Sequence, residues 1–299
     1  MRARGLIGWS LILLAVLFSG DRALAFVLER VVLSSQLRFS RVYRGAMHND
    51  VVIIGNSRGV NAFYAPDVAR RTGTSVFNAS YNGMSAVAAE AILNDYLDRN
   101  ARPSLIIFEV TNVYSNEDAL KDLDLFNFAS PRLAALEARF TPELARAVRV
   151  SHLIEFNNEL FLRSLYYLRT TDQSWINRTR ISGAGIASVD TMAAVHLALV
   201  PENVAALVRS VGRVRSEGIQ VRFVIAPFLP AYQRKLVNLD EWKRSLEQQI
   251  GAPIMDYSDA IADTRDFGDL RHLNFAGSQL LLNRLLKDGV FSDARVSAE

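Results

Sequence analysis

A serine and a histidine–aspartate pair are the residues of this 299-residue chain best suited to chemistry. Ser57 follows Gly55 and Asn56 at the end of the β-branched run 51–54, and Asp269 precedes His272 by three residues. An aspartate that accepts a hydrogen bond from one imidazole nitrogen fixes the tautomer and leaves the other nitrogen to take a proton from a serine hydroxyl. The pattern predicts covalent catalysis at Ser57, with His272 as the base and Asp269 orienting it.

Each of these residues also has a plainer interpretation. Serine is a common helix N-cap, and an aspartate just before a helix with a surface histidine nearby is ordinary capping. The other three histidines, His48, His152 and His196, follow no predicted strand end. His272 is therefore the candidate base.

Several other side chains near predicted strand ends allow two interpretations. Glu109 is either a general base or a buried carboxylate hydrogen-bonded within the core. Arg58 either binds an anionic group of a substrate or forms a structural pair. Tyr64, Tyr81 and Tyr114 either stack on sugar rings at the mouth of a site or pack as core aromatics.

Strand and helix patterns alternate along most of the chain. We predict strands at 51–54, 75–78, 104–110, 220–226 and 253–256, and helices over 88–97, from 201 to about 218 and from about 274 to about 289. This alternation predicts an α/β fold of three layers with a flavodoxin-like, doubly wound parallel sheet. Because ligands in such sheets bind beyond the carboxyl ends of the strands, residues that follow the strands are expected to meet there.

The N-terminus predicts export. Two arginines within the first four residues precede an apolar run over 5–20, and an Asp-Arg pair at 21–22 interrupts it. Basic residues before such a segment predict that its N-terminal end faces the cytoplasm. The segment is either a single-pass anchor that continues into 23–28 or a secretory signal cleaved near Ala23-Leu24-Ala25. The first interpretation predicts a periplasmic domain on the bacterial inner membrane, and the second a free periplasmic or secreted protein.

The pattern divides the chain into four parts. We expect a signal-anchor or signal peptide at 1–28, a stalk or linker helix at 29–50, an α/β domain at 51–290 and a tail at 291–299. The domain contains a mainly helical insertion at about 115–200, which we interpret as a lid or a substrate-side cap.

Composition excludes several classes of protein. The 34 basic and 31 acidic residues give a net charge of +3, and the arginines are scattered, so we expect no nucleic acid partner. The chain has no cysteine, which excludes a thiol nucleophile, a thiolate zinc site and a disulfide framework. No spacing of histidines and carboxylates resembles a ligand set, so we expect neither a metal nor a cofactor.

The motifs resemble the SGNH (GDSL-type) hydrolase superfamily, in which G-D-S follows the first strand and D-x-x-H precedes the last helix. The resemblance implies the SGNH hydrolase fold and an oxyanion hole formed by three further donors. These are the nucleophile's own amide, a glycine amide after the second strand and an asparagine after the third. By spacing Ser80 takes the glycine position, with Gly83 as the nearby alternative, and Asn112 takes the asparagine position. The chain departs from the pattern at Asn56, where the family has a noncatalytic aspartate, and in the residues beside Asn112.

The loose motifs, the N-terminal segment and the D-x-x-H-L-N ending look most like the branch that moves acyl groups on cell-surface polysaccharides, such as alginate O-acetyltransferase-like proteins. The resemblance implies acyl transfer to a polysaccharide through the Ser-His-Asp triad. An esterase or deacetylase that uses water as acceptor would need the same residues. A third hypothesis is a catalytically degenerate SGNH-fold component that works with envelope polysaccharide assembly proteins.

Overall fold

The computed structural model describes residues 2–114, 120–170 and 175–294. The chain divides into two compact units. Unit 1 comprises Met1–Arg44 and Asp122–Gln173, and unit 2 comprises Gly45–Lys121 and Ser174–Glu299. The segment predicted as an insertion at about 115–200 is thus divided between the two units.

The helices follow the chain in a regular order. The α-helices are α1 (Arg2–Ser34), α2 (Arg38–Arg44), α3 (Ser57–Ala62), α4 (Ala65–Thr72), α5 (Ala86–Arg99), α6 (Pro131–Phe140), α7 (Pro142–Val150), α8 (Glu159–Tyr166), α9 (Gly183–Ala187), α10 (Pro201–Ser216), α11 (Pro230–Gln233), α12 (Leu239–Ile250) and α13 (Phe275–Lys287). Short 3-10 helices cover Val110–Val113, Lys121–Phe126, His152–Phe156 and Thr264–Asp266.

Unit 2 is built on a parallel sheet. Its strands are β1 (Val51–Ile54), β2 (Val76–Asn78), β3 (Leu105–Glu109), β4 (Gln220–Ile225) and β5 (Met255–Asp256). They are hydrogen-bonded in the order β2-β1-β3-β4-β5, with every neighbouring pair parallel. This is the flavodoxin-like order, and the predicted α/β fold with a doubly wound sheet is confirmed.

The central strands explain why the sequence indicated this sheet. Every residue of β1 and β3 is buried, so both strands are almost continuous apolar runs, as is usual where helices cover both faces. The strand predicted at 253–256 is shorter in the structure, since Pro253 has no N–H to donate to a neighbouring strand. The order of the sheet brings the carboxyl ends of β1, β2 and β3 side by side.

Unit 1 combines α1 and α2 with α6, α7 and α8. Its core includes Phe126, whose ring stacks on Tyr43 at 5.1 Å and meets Phe39 edge-on at 6.1 Å. Helix α1 runs through the Asp-Arg pair at 21–22 without a break and ends at Ser34, beyond the boundary expected at 28. Within the described residues, α1 is the one helix long and apolar enough to cross a membrane.

Candidate active site

Ser57, His272 and Asp269 form a continuous chain of hydrogen bonds. Ser57 Oγ lies 2.7 Å from His272 Nε2, and His272 Nδ1 lies 2.9 and 2.8 Å from the two carboxylate oxygens of Asp269. A carboxylate at Nδ1 favours the tautomer with its proton there, so Nε2 is left to accept from the serine hydroxyl. The structure therefore brings together the three residues that the sequence suggested, in the order that proton transfer requires.

The Asp269 carboxylate is held by its own loop. Its Oδ1 accepts the backbone N–H groups of Arg271, at 2.8 Å, and His272, at 3.0 Å. Burial opposes ionisation of this carboxyl, but the hydrogen bond and charge of His272, with the two backbone bonds, outweigh burial and lower the pKa of Asp269. Asp269 is therefore ionised at neutral pH and able to orient the imidazole.

The loop that carries His272 is closed against the start of α13. Gly268 N–H donates to the His272 carbonyl at 2.9 Å, which closes the loop on itself. Asn274 caps α13 by accepting from Gly277 N–H at 3.1 Å, while its amide donates to the Arg265 carbonyl at 2.8 Å. A Cβ at Gly277 would overlap backbone of the preceding loop, so only glycine fits there. These contacts fix His272 just before the helix.

Ser57 is the first residue of α3, and the preceding residue is the cap. Asn56 Oδ1 accepts from Arg58 N–H at 2.8 Å, so the interpretation of Ser57 as a plain N-cap is wrong. The N–H of a first-turn residue has no partner inside its helix. Among the described residues nothing accepts from the Ser57 N–H, which leaves this donor at the base of the nucleophile.

The loop after β2 supplies a second available donor. Gly83 has a φ of 76°, and its exposed N–H makes no hydrogen bond to any described residue. Ser80 is different, because its N–H already donates to Asn78 Oδ1 at 2.9 Å and its side chain is fully buried beside Gly59. Of the two residues proposed for the glycine position, Gly83 has the backbone donor that a ligand can use.

Asn112 is placed by the short helix after β3. The residue before it, Thr111, accepts from Asn56 Nδ2 at 3.3 Å, which ties this turn to the start of α3. The side-chain amide of Asn112 makes no hydrogen bond within the part of the chain that the structure describes, although the residue is buried. Buried amides normally have partners, so this one is suited to a ligand oxygen.

Arg58 and Glu109 form a buried ion pair beside the site. Arg58 Nε lies 3.4 Å from Glu109 Oε1, and both side chains are almost fully inaccessible. The Arg58 guanidinium also donates to the carbonyl of Arg271, at 2.6 Å, and to that of Ala226, and it lies 3.5 Å from the centre of the Phe228 ring. Arg58 thus connects the start of α3, the end of β4 and the loop of the catalytic histidine.

Glu109 accepts from several groups besides Arg58. Thr111 donates both its N–H, at 3.3 Å, and its hydroxyl, at 2.7 Å, and the N–H of Ala226 donates at 3.3 Å. A Cβ at Gly55 would lie 2.7 Å from the Cβ of Glu109, so glycine is needed before the nucleophile. Glu109 is therefore the buried structural carboxylate and Arg58 its structural partner, which were the plainer interpretations of both residues.

The aromatic residues near the strand ends pack against neighbours. Tyr64 meets Phe275 edge-on at 5.1 Å, and Tyr81 meets Trp175 edge-on at 5.4 Å. Tyr114 hydrogen-bonds the guanidinium of the exposed Arg271, an interaction that helps to raise the pKa of that arginine against the effect of burial. The sequence did not indicate Trp175 or Arg271, because neither lies in a recognised motif.

Within residues 2–114, 120–170 and 175–294, no group of three or more His, Asp or Glu side chains could hold a metal ion. No family model and no curated protein matches the chain. Two solved structures are similar in fold. One is titled a "putative acylhydrolase" from Bacteroides fragilis, at 13% identity and a TM-score of 0.40 over 82% of this chain and 88% of that one. The other is TesA, at 12% identity and a TM-score of 0.41 over 80% of this chain and 97% of that one.

Proposed function

We propose that the protein is a serine-dependent acyl-ester enzyme of SGNH type. The observation that carries the proposal is the hydrogen-bonded chain from Ser57 Oγ through His272 to Asp269, with its 2.7 Å serine–imidazole contact. Such a contact lets the imidazole take the serine proton as the oxygen attacks a carbonyl carbon.

The first half of the reaction forms an ester on Ser57. Its Oγ bonds to the acyl carbon while the proton passes to His272 Nε2, and the carbonyl oxygen becomes an oxyanion. The N–H groups of Ser57 and Gly83 and the amide of Asn112 are the donors that we assign to this oxyanion. When the tetrahedral intermediate collapses, the bond to the leaving alcohol breaks and the imidazolium returns its proton to that alcohol.

The second half transfers the acyl group to an acceptor, and we propose that the acceptor is a hydroxyl of a cell-surface polysaccharide. The resemblance of the D-x-x-H-L-N ending to polysaccharide O-acyltransferases supports this assignment, as does the apolar helix α1, which would keep the protein at an envelope membrane. In this step His272 removes the acceptor proton and then protonates Ser57 Oγ as it leaves.

Hydrolysis is the second candidate, because solvent reaches the triad. The side chains of His272 and Asp269 are 21% and 50% exposed, so water has access to the base. An acyl-enzyme in such a site hydrolyses unless an acceptor excludes water.

Covalent labelling and product analysis test both candidates. The full-length protein is incubated with a fluorophosphonate and with p-nitrophenyl acetate, and intact mass and peptide mapping locate any adduct. We expect one adduct, on Ser57, and its loss together with turnover in Ser57→Ala, while Ser188→Ala, an exposed serine of unit 2, behaves as wild type. A folded protein that neither reacts nor turns over would support a degenerate component and overturn the enzyme. Acetylated oligosaccharide products indicate transfer, and free acetate alone indicates hydrolysis.

A further inference from the structure

Helix α1 has two halves with different surroundings. From Ile7 to Phe18 its large apolar side chains are exposed, with Trp9 the most exposed at 73%. Beyond the Asp-Arg pair, Ala25 and Val32 are buried against the rest of unit 1. At about 1.5 Å per residue the stretch 2–20 is about 28 Å long, close to the hydrocarbon thickness of a bilayer. The change in surroundings therefore falls where a bilayer would end.

Asp21 receives the start of the 3-10 helix at His152–Phe156. Its carboxylate accepts the N–H of His152 at 2.9 Å, that of Leu153 at 3.5 Å and the hydroxyl of Ser151. The first N–H groups of a helix have no partners within it, and a carboxylate both satisfies them and complements the positive end of the helix. Asp21 therefore holds this turn against α1.

Arg22 receives the end of α7 in the complementary way. Its guanidinium donates to the carbonyls of Val150 and Arg149, both at 2.9 Å, and lies 3.6 Å from the centre of the Phe18 ring. Free carbonyls at a helix C-terminus favour a cation. The two charges that interrupt the apolar run thus bind the two free helix ends of the turn at 149–153.

The surface of this turn is both apolar and basic. Val150 is 76% exposed, and with Leu153 it borders an open groove of about 990 Å³ whose other wall is the stretch of α1 from Leu14 to Leu24. Arg149 is exposed and forms no ion pair with any described carboxylate. An apolar side chain next to a free cation fits the interface of a bilayer that contains anionic lipids.

We propose that α1 is a retained membrane anchor, and that the turn at 149–153, docked on Asp21 and Arg22, rests on the bilayer surface with Val150 among the lipids. Cleavage near Ala25 does not suit this arrangement, since Ala25 is buried in a continuous helix and proteolysis favours exposed, extended segments. Cleavage there would also remove the partners of both helix ends. The proposal is independent of the chemistry at Ser57.

Site-directed probes on the full-length protein test the contact, because the chain has no native cysteine. An environment-sensitive fluorophore is attached to Val150→Cys, and the protein is placed in nanodiscs of phosphatidylethanolamine and phosphatidylglycerol with lipids doxyl-labelled near the headgroup. An interfacial side chain lies within about 5–10 Å of that depth, so we expect the probe to lose about half of its fluorescence. The control is Ser34→Cys, exposed on the same helix about 20 Å beyond Asp21, where we expect no quenching.

Two further measurements separate the parts of the proposal. The intact mass of membrane-extracted protein is expected to include residues before Asp21, and a mass that begins near Leu24 or Phe26 would overturn the retained anchor. In the background Asp21→Ala with Arg22→Ala, the protein should stay in the membrane fraction while quenching at position 150 falls to the level of the Ser34→Cys control. Equal quenching at 150 with and without Asp21 and Arg22 would overturn their docking role, and no quenching at 150 in the parent protein would overturn the lipid contact.

Discussion

Replacing Arg58 by methionine tests whether the buried ion pair positions the catalytic loop. The variant leaves Glu109 without its cation in a place where its side chain is 0% exposed. Removing one partner of a buried ion pair lowers the free energy of unfolding by about 3–5 kcal/mol. The same change removes the donor to the carbonyls of Ala226 and Arg271, the latter adjacent to His272. Since a misplacement of about 1 Å at a reacting group costs about 100-fold in rate, we expect kcat to fall by about that factor with little change in KM.

Urea unfolding followed by circular dichroism measures the stability, and p-nitrophenyl acetate turnover measures kcat and KM separately. Arg209→Met is a matched control, because Arg209 pairs with Glu90 at 2.6 Å on the surface, where its side chain is 58% exposed. An exposed pair contributes up to about 1 kcal/mol, and we expect this variant to keep its kcat.

A second variant separates positioning from simple destabilisation. Arg58→Met combined with Glu109→Gln removes the unpaired buried charge, so its free energy of unfolding should exceed that of Arg58→Met alone. Its kcat should remain low, since the Arg271 carbonyl still lacks its donor. Recovery of kcat together with stability would refute the positioning role, as would a wild-type kcat in the folded single variant.

Three further substitutions test other parts of the structure. Asp269→Asn should lower kcat about 10²–10⁴-fold, because an amide N–H at His272 Nδ1 favours the tautomer that cannot accept from Ser57, and the pH dependence of esterase turnover shows whether any alkaline recovery occurs. Asn112→Ala should lower kcat about 10²–10³-fold with a smaller effect on KM, as expected for an oxyanion donor, and equal changes in both would contradict the assignment. Burial raises the pKa of Glu155 to about 7, so folding favours its protonated form, and this contribution to stability is lost as pH rises through about 7. Melting temperatures at pH 5.5 and 8.5 should therefore fall less steeply with pH in Glu155→Gln than in wild type.

The fold was predictable because local patterns determine most of it. A strand covered on both faces must be apolar throughout, and the runs at 51–54 and 105–109 show this directly. Once these strands are parallel neighbours, the residues that follow them meet at one edge of the sheet. The separation in sequence between Ser57 and His272 is therefore no obstacle to predicting that they meet.

Other features depend on partners that no local pattern specifies. The sequence shows that Arg58 and Glu109 are charged, but only the packing of β1 beside β3 shows that they pair. Spacing alone favoured Ser80 for the second oxyanion donor, while the Asn78 side chain already occupies its N–H. The Asp-Arg pair at 21–22 was interpreted as interrupting the apolar run, because the helix ends that it binds are about 130 residues away in sequence.

The asparagine at position 56 follows from the same ion pair. Glu109 stays charged beside Arg58 and takes the only hydroxyl proton of Thr111, so the Thr111 oxygen presents lone pairs to its other neighbour. That neighbour is Asn56, whose Nδ2 donates to Thr111 Oγ1 at 3.3 Å while its Oδ1 caps α3. An aspartate could perform the capping but would place a carboxylate oxygen against the threonine lone pairs, in a buried site where repulsion is strong. Asn56 is thus the residue that lets the cap of the nucleophile helix coexist with the Arg58–Glu109 pair, and its departure from the aspartate of the resembled motif indicates a rebuilt support for Ser57 rather than a lost one.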